Sequence, residues 1–434
     1  MTIPSFTGLN TALEGLQASQ AAIDTTGENI ANANTPGYTR QVVNTAASDP
    51  IVIQGRNPQG GGTQLGTGVD ITSISRIRDQ FLDVQYRAQN TVASNANTMA
   101  TQLQQVQTAL NEPSSDGLQA QLSSFWSAWT SLAQSPTSAA AQQAVVDAGQ
   151  TLASTFQSVS AQMTTVQTQA AQQYATLTGT NGQVEQDANQ IATLNTQIAQ
   201  ATQAGQTPNT LLDQRDQLVD DLSGLAQVSV TPHSDGTVDV NFGDAATPLV
   251  KGSTVTWPQT LTSKAGGQLG ALLNLSDTSS SGTIQQYLNS LNGVAKQVID
   301  SVNGLQPPSS PFFGGTDASS ITVTASPSSI TTSSSSTSGP DLAQSIANLS
   351  GQGADQSYAA FVAQVGGSVQ AAQNTQTTQQ AILTAVSNQR QSVSGVSLDQ
   401  EMTNLIQYQQ AYQASARVMN AISTTFSDLM NVTL

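Results

Sequence analysis

The sequence predicts a mainly α fold with a small β insertion, in which long heptad helices from both chain ends form a coiled-coil-like rod joined to a helical bundle. Three observations predict it. Apolar residues recur at alternating spacings of three and four over most of the chain. This period gives way to clean two-residue alternation only near residues 228–242. Charged residues make up 9% and aromatic residues 4% of the 434 residues, so the surface is largely neutral and polar. Such a surface packs against copies of itself without desolvating many charges. At roughly 150 residues per domain the length corresponds to two or three domains.

At the N-terminus Phe6, Leu9, Leu13, Leu16, Gln20, Ile23, Gly27 and Ile30 form a heptad stripe, with Gln20 and Gly27 as its weak points. The segment NANTPGY, Asn32 to Tyr38, stops this helix, because Pro36 drives Thr35 out of the α region and Pro-Gly favours a tight turn. Residues 32–75 read as a loop whose Gly-rich part, Gly55 to Gly68, is extended and partly β. A helix is predicted from near Arg76, carrying Ile77, Phe81, Val84 and Ala88 and then Met99, Leu103, Val106 and Leu110, up to Pro113 and Gly117. Leu118 to Leu132 reads as a short helix bearing Trp126 and Trp129. A long helix follows from about Ser138, with Leu152, Phe156, Val159, Met163, Val166, Ala170 and Tyr174 in heptad register. After a break at Gly179 to Gly182 the pattern continues through Val184, Ile191, Leu194 and Ile198. These aromatic and Met positions read as core. Thr207 and Pro208 fit the N-cap and N1 positions of a helix over Asn209 to Ala226.

Val228 and Val230, then Val238, Val240 and Phe242, alternate about Asp235-Gly236, which predicts a β-hairpin. Ile284, Leu288, Leu291, Ala295, Val298 and Val302 restore the helical period. Residues 306–340, rich in Pro, Ser, Thr and Gly, read as a linker with at most one short strand at Ile321 to Thr324. The final hundred residues read as helix interrupted near Gly395. There Met402, Leu405, Gln409, Tyr412, Ala416, Met419, Ser423, Phe426 and Met430 mirror the N-terminal stripe. The predicted division is therefore a paired terminal unit (1–31 with 402–434), an elongated helical bundle (32–227 with 283–401) and a β-rich insertion (228–282). Two narrow stripes bury little surface, so the ends are expected to be incomplete alone and to order when neighbours supply contacts.

The chemistry is bounded by scarcity. A net charge of -16 provides no basic surface for nucleic acid or for anionic membrane. There is no Cys and one His, which removes thiol chemistry and makes the commonest metal and acid–base sites unavailable. No cofactor or metal site is expected. Asp213, Asp216, Asp220 and Asp221, with only Arg215 between them, read as a solvated helix face rather than a cation site. A secreted enzyme with a carboxylate-based site is the alternative of a different class. His233 reads as an exposed turn residue. The N-terminus lacks a basic stretch and an apolar run of signal-peptide length, so no cleaved secretory signal is expected.

Residues Ile30 to Arg40, IANANTPGYTR, resemble the signature shared by bacterial flagellar rod, hook and hook-associated proteins. The segments Ser392 to Met402 and Asn404 to Val418 are similar to the C-terminal signature of the hook-associated protein 1 family. Leu211 to Leu218 and Phe312 to Ala318 sharpen the resemblance, which spans essentially the whole chain. It implies a non-enzymatic adaptor at the hook–filament junction, outside the cell, exported through the flagellar type III apparatus and assembling into a ring of copies at the hook tip. The implied partners are the hook protein, a second junction protein and an export chaperone at the C-terminal helix, with no nucleic acid and no membrane. The assembly interface is assigned to Phe6, Leu9, Leu13, Leu16, Ile23 and Ile30 with Met402, Leu405, Tyr412, Met419 and Phe426. The signature loop comprises Asn32, Asn34, Thr35, Pro36, Gly37 and Tyr38. Tyr38 and Arg40 fit either a turn packed on its own helix or a subunit contact. The nearest alternative is another axial subunit, a hook or distal rod protein, against which the long helices between 76 and 226 argue. The chain is compact for the family and leaves little room for a further outer domain.

Overall fold

The computed structural model describes residues 7–53, 63–335 and 339–432. Helix α1 (Thr7–Ala31) runs into the NANTPGY turn. An antiparallel ribbon follows, in which β1 (Gln41–Ala47) pairs with β4 (Val69–Arg76), and β2 (Ile51–Ile53) pairs with β3 (Thr63–Leu65). The loop expected over 32–75 is thus corrected at 41–53 and 63–75, and residues 54–62 of its Gly-rich part lie outside the described residues. Val42, Val43, Ile71 and Ile74 supply the β-branched residues that favour a strand, and the ladder holds Gln41 opposite Arg76.

Helix α2 (Gln80–Leu110) starts later than expected because Asp79 caps it, its carboxylate accepting from Phe81 N at 2.8 Å. The predicted face is also corrected. Phe81 and Val84 are 73% and 66% exposed, whereas Leu82, Asp83 and Arg87 are buried. The first turns of α2 bury the charged Asp83 and Arg87 beside Leu82, for a reason that lies in the joint described below.

The body continues through α3 (Leu118–Gln134), α4 (Ala139–Thr178), α5 (Gln183–Gln203) and α6 (Asn209–Leu225). Ser138 caps α4 as its position predicts, accepting from Ala141 N. Pro208 is itself the N-cap of α6, one place later than expected. A four-stranded antiparallel sheet then forms in the order β5 (Val228–Pro232), β6 (Val238–Phe242), β7 (Val250–Lys251), β8 (Thr254–Val255). Its inner residues Val238, Val240, Phe242 and Val250 bury against Val184, Ala188 and Ile191 of α5 and Val219 and Leu222 of α6. The β-rich stretch expected over 228–282 stops short, because α7 (Gly267–Ser276) places Leu272 and Leu275 in the main helical core.

That main core is built by the second half of α2, α3, α4, α7, α8 (Thr283–Asn303), α9 (Asp341–Ala347) and the first part of α10 (Gly353–Ser394). The expected linker over 306–340 is overturned here. Phe312, Phe313, Ala318 and Ile321 are fully buried, and Phe312 lies 5.6 Å from Phe125 and 5.4 Å from Trp129, ring to ring. β9 (Phe313–Gly314) pairs with β10 (Thr322–Val323) to hold the segment against α4. Burying each aromatic ring contributes about 2–3 kcal/mol, enough to anchor a stretch whose overall composition is that of a loop.

Helix α10 is 42 residues long, about 60 Å at 1.5 Å per residue. Tyr358, Phe361, Val365 and Val369 of its first half are in the core, and its second half runs beside α2. Gly395 caps it, and α11 (Leu398–Val432) returns along α1. Described residues therefore include no helix long and apolar enough to cross a membrane.

Candidate functional site

The terminal helices pack through small residues. Ala12, Ala22, Thr25, Thr26 and Asn29 are the buried residues of α1. A Cβ added at Gly15 would meet Ser415 Oγ at 3.1 Å, and one at Gly8 would meet Ile422 Cδ1 at 3.2 Å. The seam thus runs along Gly8, Ala12, Gly15, Ala22 and Asn29 and brings the two backbones close. The large apolar stripe of α1 lies one residue further round, roughly 100° away. Leu9, Leu16, Ile23 and Ile30 are half-buried and Leu13 is 42% exposed. Phe6 lies outside the described residues. On α11, Leu405, Tyr412, Met419 and Phe426 are half-buried, whereas Met402 and Ile406 are 48% and 53% exposed. The assigned interface residues thus fall into two groups, one flanking the seam and one turned away from it.

At the other end of the pair, Asn29 is the centre of a buried polar joint. Its Nδ2 donates to Gln41 O at 2.9 Å and to Glu401 Oε2 at 3.1 Å, and its Oδ1 accepts from Tyr38 Oη at 2.8 Å and Gln41 N at 2.9 Å. Both donors and both acceptor lone pairs are therefore used. Glu401, 1% exposed, also takes the guanidinium Nε of Arg40 at 2.7 Å. Arg40 N donates to Ser394 O, and Ile77 N donates to Arg40 O. One short segment thus ties α1, α10, α11 and the end of β4 together.

The next turn of the joint is ionic. Asp213, Asp216 and Asp220 lie on one face of α6 at spacings of three and four. Asp213 Oδ1 accepts from Thr39 Oγ1 and from Arg76 Nη1, both at 2.6 Å, and its Oδ2 accepts from Thr39 N at 3.1 Å. Asp216 is held by Arg76 and Arg78, each at 3.0 Å, and by Arg87 at 3.3 Å. Asp220 takes Arg87 at 2.7 Å and Arg390 at 2.5 Å, and the Arg390 guanidinium stacks 3.8 Å over the ring of Tyr86. Arg78 also pairs with Asp83 at 2.6 Å, which is why α2 turns its charged face inward. Burial works against the charged form of Asp216, but Arg78, Arg76 and Arg87 outweigh it and hold the carboxyl below its ordinary value. Burial likewise opposes the charge on Arg78, and Asp216 and Asp83 more than restore it. The solvated helix face expected for these aspartates is therefore corrected for Asp213, Asp216 and Asp220. Their partners are Thr39 after α1, Arg76 of β4, Arg78 in the turn that follows it, Arg87 of α2 and Arg390 of α10, all more than a hundred residues away in sequence, so local patterning cannot reveal them.

The signature loop covers this joint. Asn34, Thr35, Pro36 and Gly37 are exposed. Asn32 Nδ2 donates back to Glu28 O, and Thr35 Oγ1 donates to Asn32 Oδ1. Gly37 has φ +78°, and a Cβ there would meet Gln217 Oε1 at 2.8 Å, so the turn requires glycine. Tyr38 packs on its own helix through Asn29. Burial, with Glu28 and Asp213 nearby, pushes its phenol well above the ordinary value, which keeps the proton it donates. Beside the loop a cleft of about 720 Å3 opens between α1 and the α5–α6 hairpin, lined among others by Glu28, Tyr38, Leu194 and Leu218. Among the described residues no group of three or more His, Asp or Glu side chains is placed to hold a metal ion. Those of α6 that could serve acid–base work, Asp213, Asp216 and Asp220, are occupied by arginines. His233 sits 44% exposed at the hairpin, 3.2 Å from Asp239.

Comparison with known proteins places this geometry. Residues 9–39, covering α1 and the loop, match the family described as flagella basal body rod protein, and residues 387–432, covering α11, match the C-terminal family of the flagellar basal body rod FlgEFG proteins. Between them residues 103–265 match the helical domain of the flagellar hook-associated protein FlgK. Flagellar hook-associated protein 1 of Bacillus subtilis is 30% identical, over 98% of both chains. The chain belongs to the hook-associated protein 1 family. The family member from Salmonella typhimurium is 26% identical over 98% of this chain and 99% of its own, in an alignment of 560 positions. That alignment is longer than this chain's 434 residues, so the gaps fall here and this member is compact. The flagellar hook junction protein of Burkholderia pseudomallei, FlgK, aligns over 51% of this chain and 43% of its own, with 26% identity and a TM-score of 0.45. In family terms the chain is a structural component of the external flagellar axis.

Sequence reasoning found the loop, with Tyr38 and Arg40, and both terminal helices but missed Asn29, Thr39, Glu401 and the other arginines that hold the joint. One signal was available. Only eight arginines occur in the chain, and three of them, Arg76, Arg78 and Arg87, crowd into twelve residues. Cations this scarce and this clustered imply a specific set of carboxylates.

Proposed function

We propose that the chain is an adaptor joining the flagellar hook to the filament, and that it assembles with its copies into a ring at the hook tip through the terminal helix pair. The observation that carries this reading is the offset between seam and stripe. The small-residue seam satisfies the pair within one chain, so Leu13, Met402 and Ile406 remain uncovered, an arrangement suited to contacts with neighbours. The joint fixes the pair to the body through directional, charge-assisted hydrogen bonds, which suits a part that must transmit torque between a bending and a stiff segment. Hook protein on one side and a second junction protein on the other are the partners this role requires. Export proceeds without a cleaved signal through the flagellar type III apparatus, with a chaperone covering the C-terminal helix before assembly. The uncovered stripe of α11 is the surface such a chaperone would shield. No catalytic step belongs to this role.

The test is electron microscopy of cells lacking the gene, with an assay of the medium for flagellin. Complete hooks without filaments and flagellin lost to the medium are expected. Absent hooks would move the role to rod or hook, and normal filaments would overturn it.

A further inference from the structure

The terminal pair is almost devoid of positive charge. Five of the chain's eight arginines are consumed by the joint, and Arg215 is bound by Asn195 Oδ1 and Gly236 O. Among the described residues of α1 and α11 the one cation is Arg417, exposed and without an ion pair. It stands two residues past Ser415 of the seam, roughly 200° round the helix, on the back of α11. The back of α1 carries the complement. Asp24 and Glu28 are both exposed, four residues apart and hence on one face, where like charges repel. Among the described residues neither has an ion pair, and Asp24 accepts the amide of Gln20 at 2.8 Å.

These charges cannot meet within one copy. Gly15 lies against Ser415 and Gly8 against Ile422, so Arg417 stands close to the level of Leu13, and Asp24 and Glu28 are about 16 to 22 Å further along the axis. They also lie on opposite outer sides of the pair. We infer that Arg417 of one copy docks between Asp24 and Glu28 of the next, a head-to-tail contact that staggers neighbouring copies by about 16 to 22 Å along the axis. Gln17, Gln20, Gln410 and Gln413 on the two back faces are neutral and specify register weakly, and the exposed Asp399 and Asp428 on the back of α11 stand about 16 Å or more from Arg417 along the axis. A single cation facing a repelling pair of carboxylates supplies that register. This contact rests on the self-assembly reading above and names its partner as a second copy.

The test uses the full chain in cells lacking the gene, with incorporation at the hook tip quantified by immuno-electron microscopy. Arg417→Glu alone, and Asp24→Lys with Glu28→Lys alone, are each expected to reduce incorporation at least tenfold. Co-expression of the two defective chains is expected to restore it, because an alternating arrangement is complementary at every contact. Thermal unfolding of both purified variants is expected to match wild type, since all three side chains are exposed. If a variant proves unstable, Glu28→Cys with Arg417→Cys replaces it. The chain has no cysteine of its own, so a disulfide-linked ladder of copies in assembled flagella supports the contact and cross-link-free assembly overturns it. Wild-type incorporation by either single-sided variant, or no rescue on co-expression, overturns the contact while leaving self-assembly standing. A wild-type chain absent from the flagellum overturns both.

Discussion

Asn29 and Glu401 meet across 372 residues of sequence, the amide of Asn29 donating to the carboxylate of Glu401 at 3.1 Å in a site closed to solvent. Asn29 also bridges Tyr38 and Gln41, so one side chain sets where both terminal helices enter the body. Asn29→Leu leaves the Tyr38 hydroxyl, the Gln41 N–H and one Glu401 oxygen short of partners. At about 1–3 kcal/mol for a buried unsatisfied group, we expect a loss of about 3 kcal/mol. Denaturant unfolding measures it, and hydrogen exchange should show the loss concentrated at residues 38–41.

Asp216 makes the joint acid-sensitive. Its carboxyl is held below the ordinary value by three arginines that outweigh its burial. A depressed folded-state value contributes stability that is present above the unfolded value of about 4 and is lost as pH falls through the folded value. Wild type should therefore lose stability steadily on acidification below about pH 4. Asp216→Asn should be less stable at neutral pH, and its stability should fall less steeply over the acid range.

Asp187 on α5 works in the opposite sense. Burial pushes its carboxyl up to about 6, against a hydrogen bond from Gln183, and its Oδ2 has no partner. A raised value means the folded state prefers the protonated form, so stability is fully present below about pH 4 and is lost as pH rises through the folded value. Asp187→Asn should stabilise the protein above pH 6 by on the order of 2 kcal/mol. The gain should vanish below about pH 4, as thermal unfolding across pH will check.

Gly15 tests the seam. Its missing Cβ lets α1 approach Ser415, and Gly15→Leu would force the helices apart. Circular dichroism should show lost helix, while near-ultraviolet signal from the Trp126 and Trp129 core remains, because that core lies in the body.

The helical architecture was legible because its cause is local. Heptad spacing, Ser138, Asp235-Gly236 and the break at Gly395 act within a few residues of themselves. What was hidden depends on partners far along the chain. The aspartates of α6 read as solvated because their arginines lie between Arg76 and Arg87 and at Arg390, far along the chain. Phe312 and Phe313 were masked by the Ser, Thr and Pro around them, although two adjacent aromatics suffice to anchor a loop. The pairing of β1 with β4 is not legible locally, because the two strands are separated by a Gly-rich stretch and neither shows clean two-residue alternation. At the terminal pair, heptad spacing located the most apolar face, yet the helices meet through small residues on the adjacent face, because close backbone approach requires the absence of bulk.

That division of α1 into an inner small-residue face and an outer apolar face is the central claim, and Leu13→Asp tests it most directly. Leu13 is 42% exposed, so the substitution should change unfolding free energy by less than about 0.5 kcal/mol. Its incorporation at the hook tip, followed by immuno-electron microscopy in cells lacking the native gene, should be abolished. Normal incorporation of a folded Leu13→Asp chain would contradict the account.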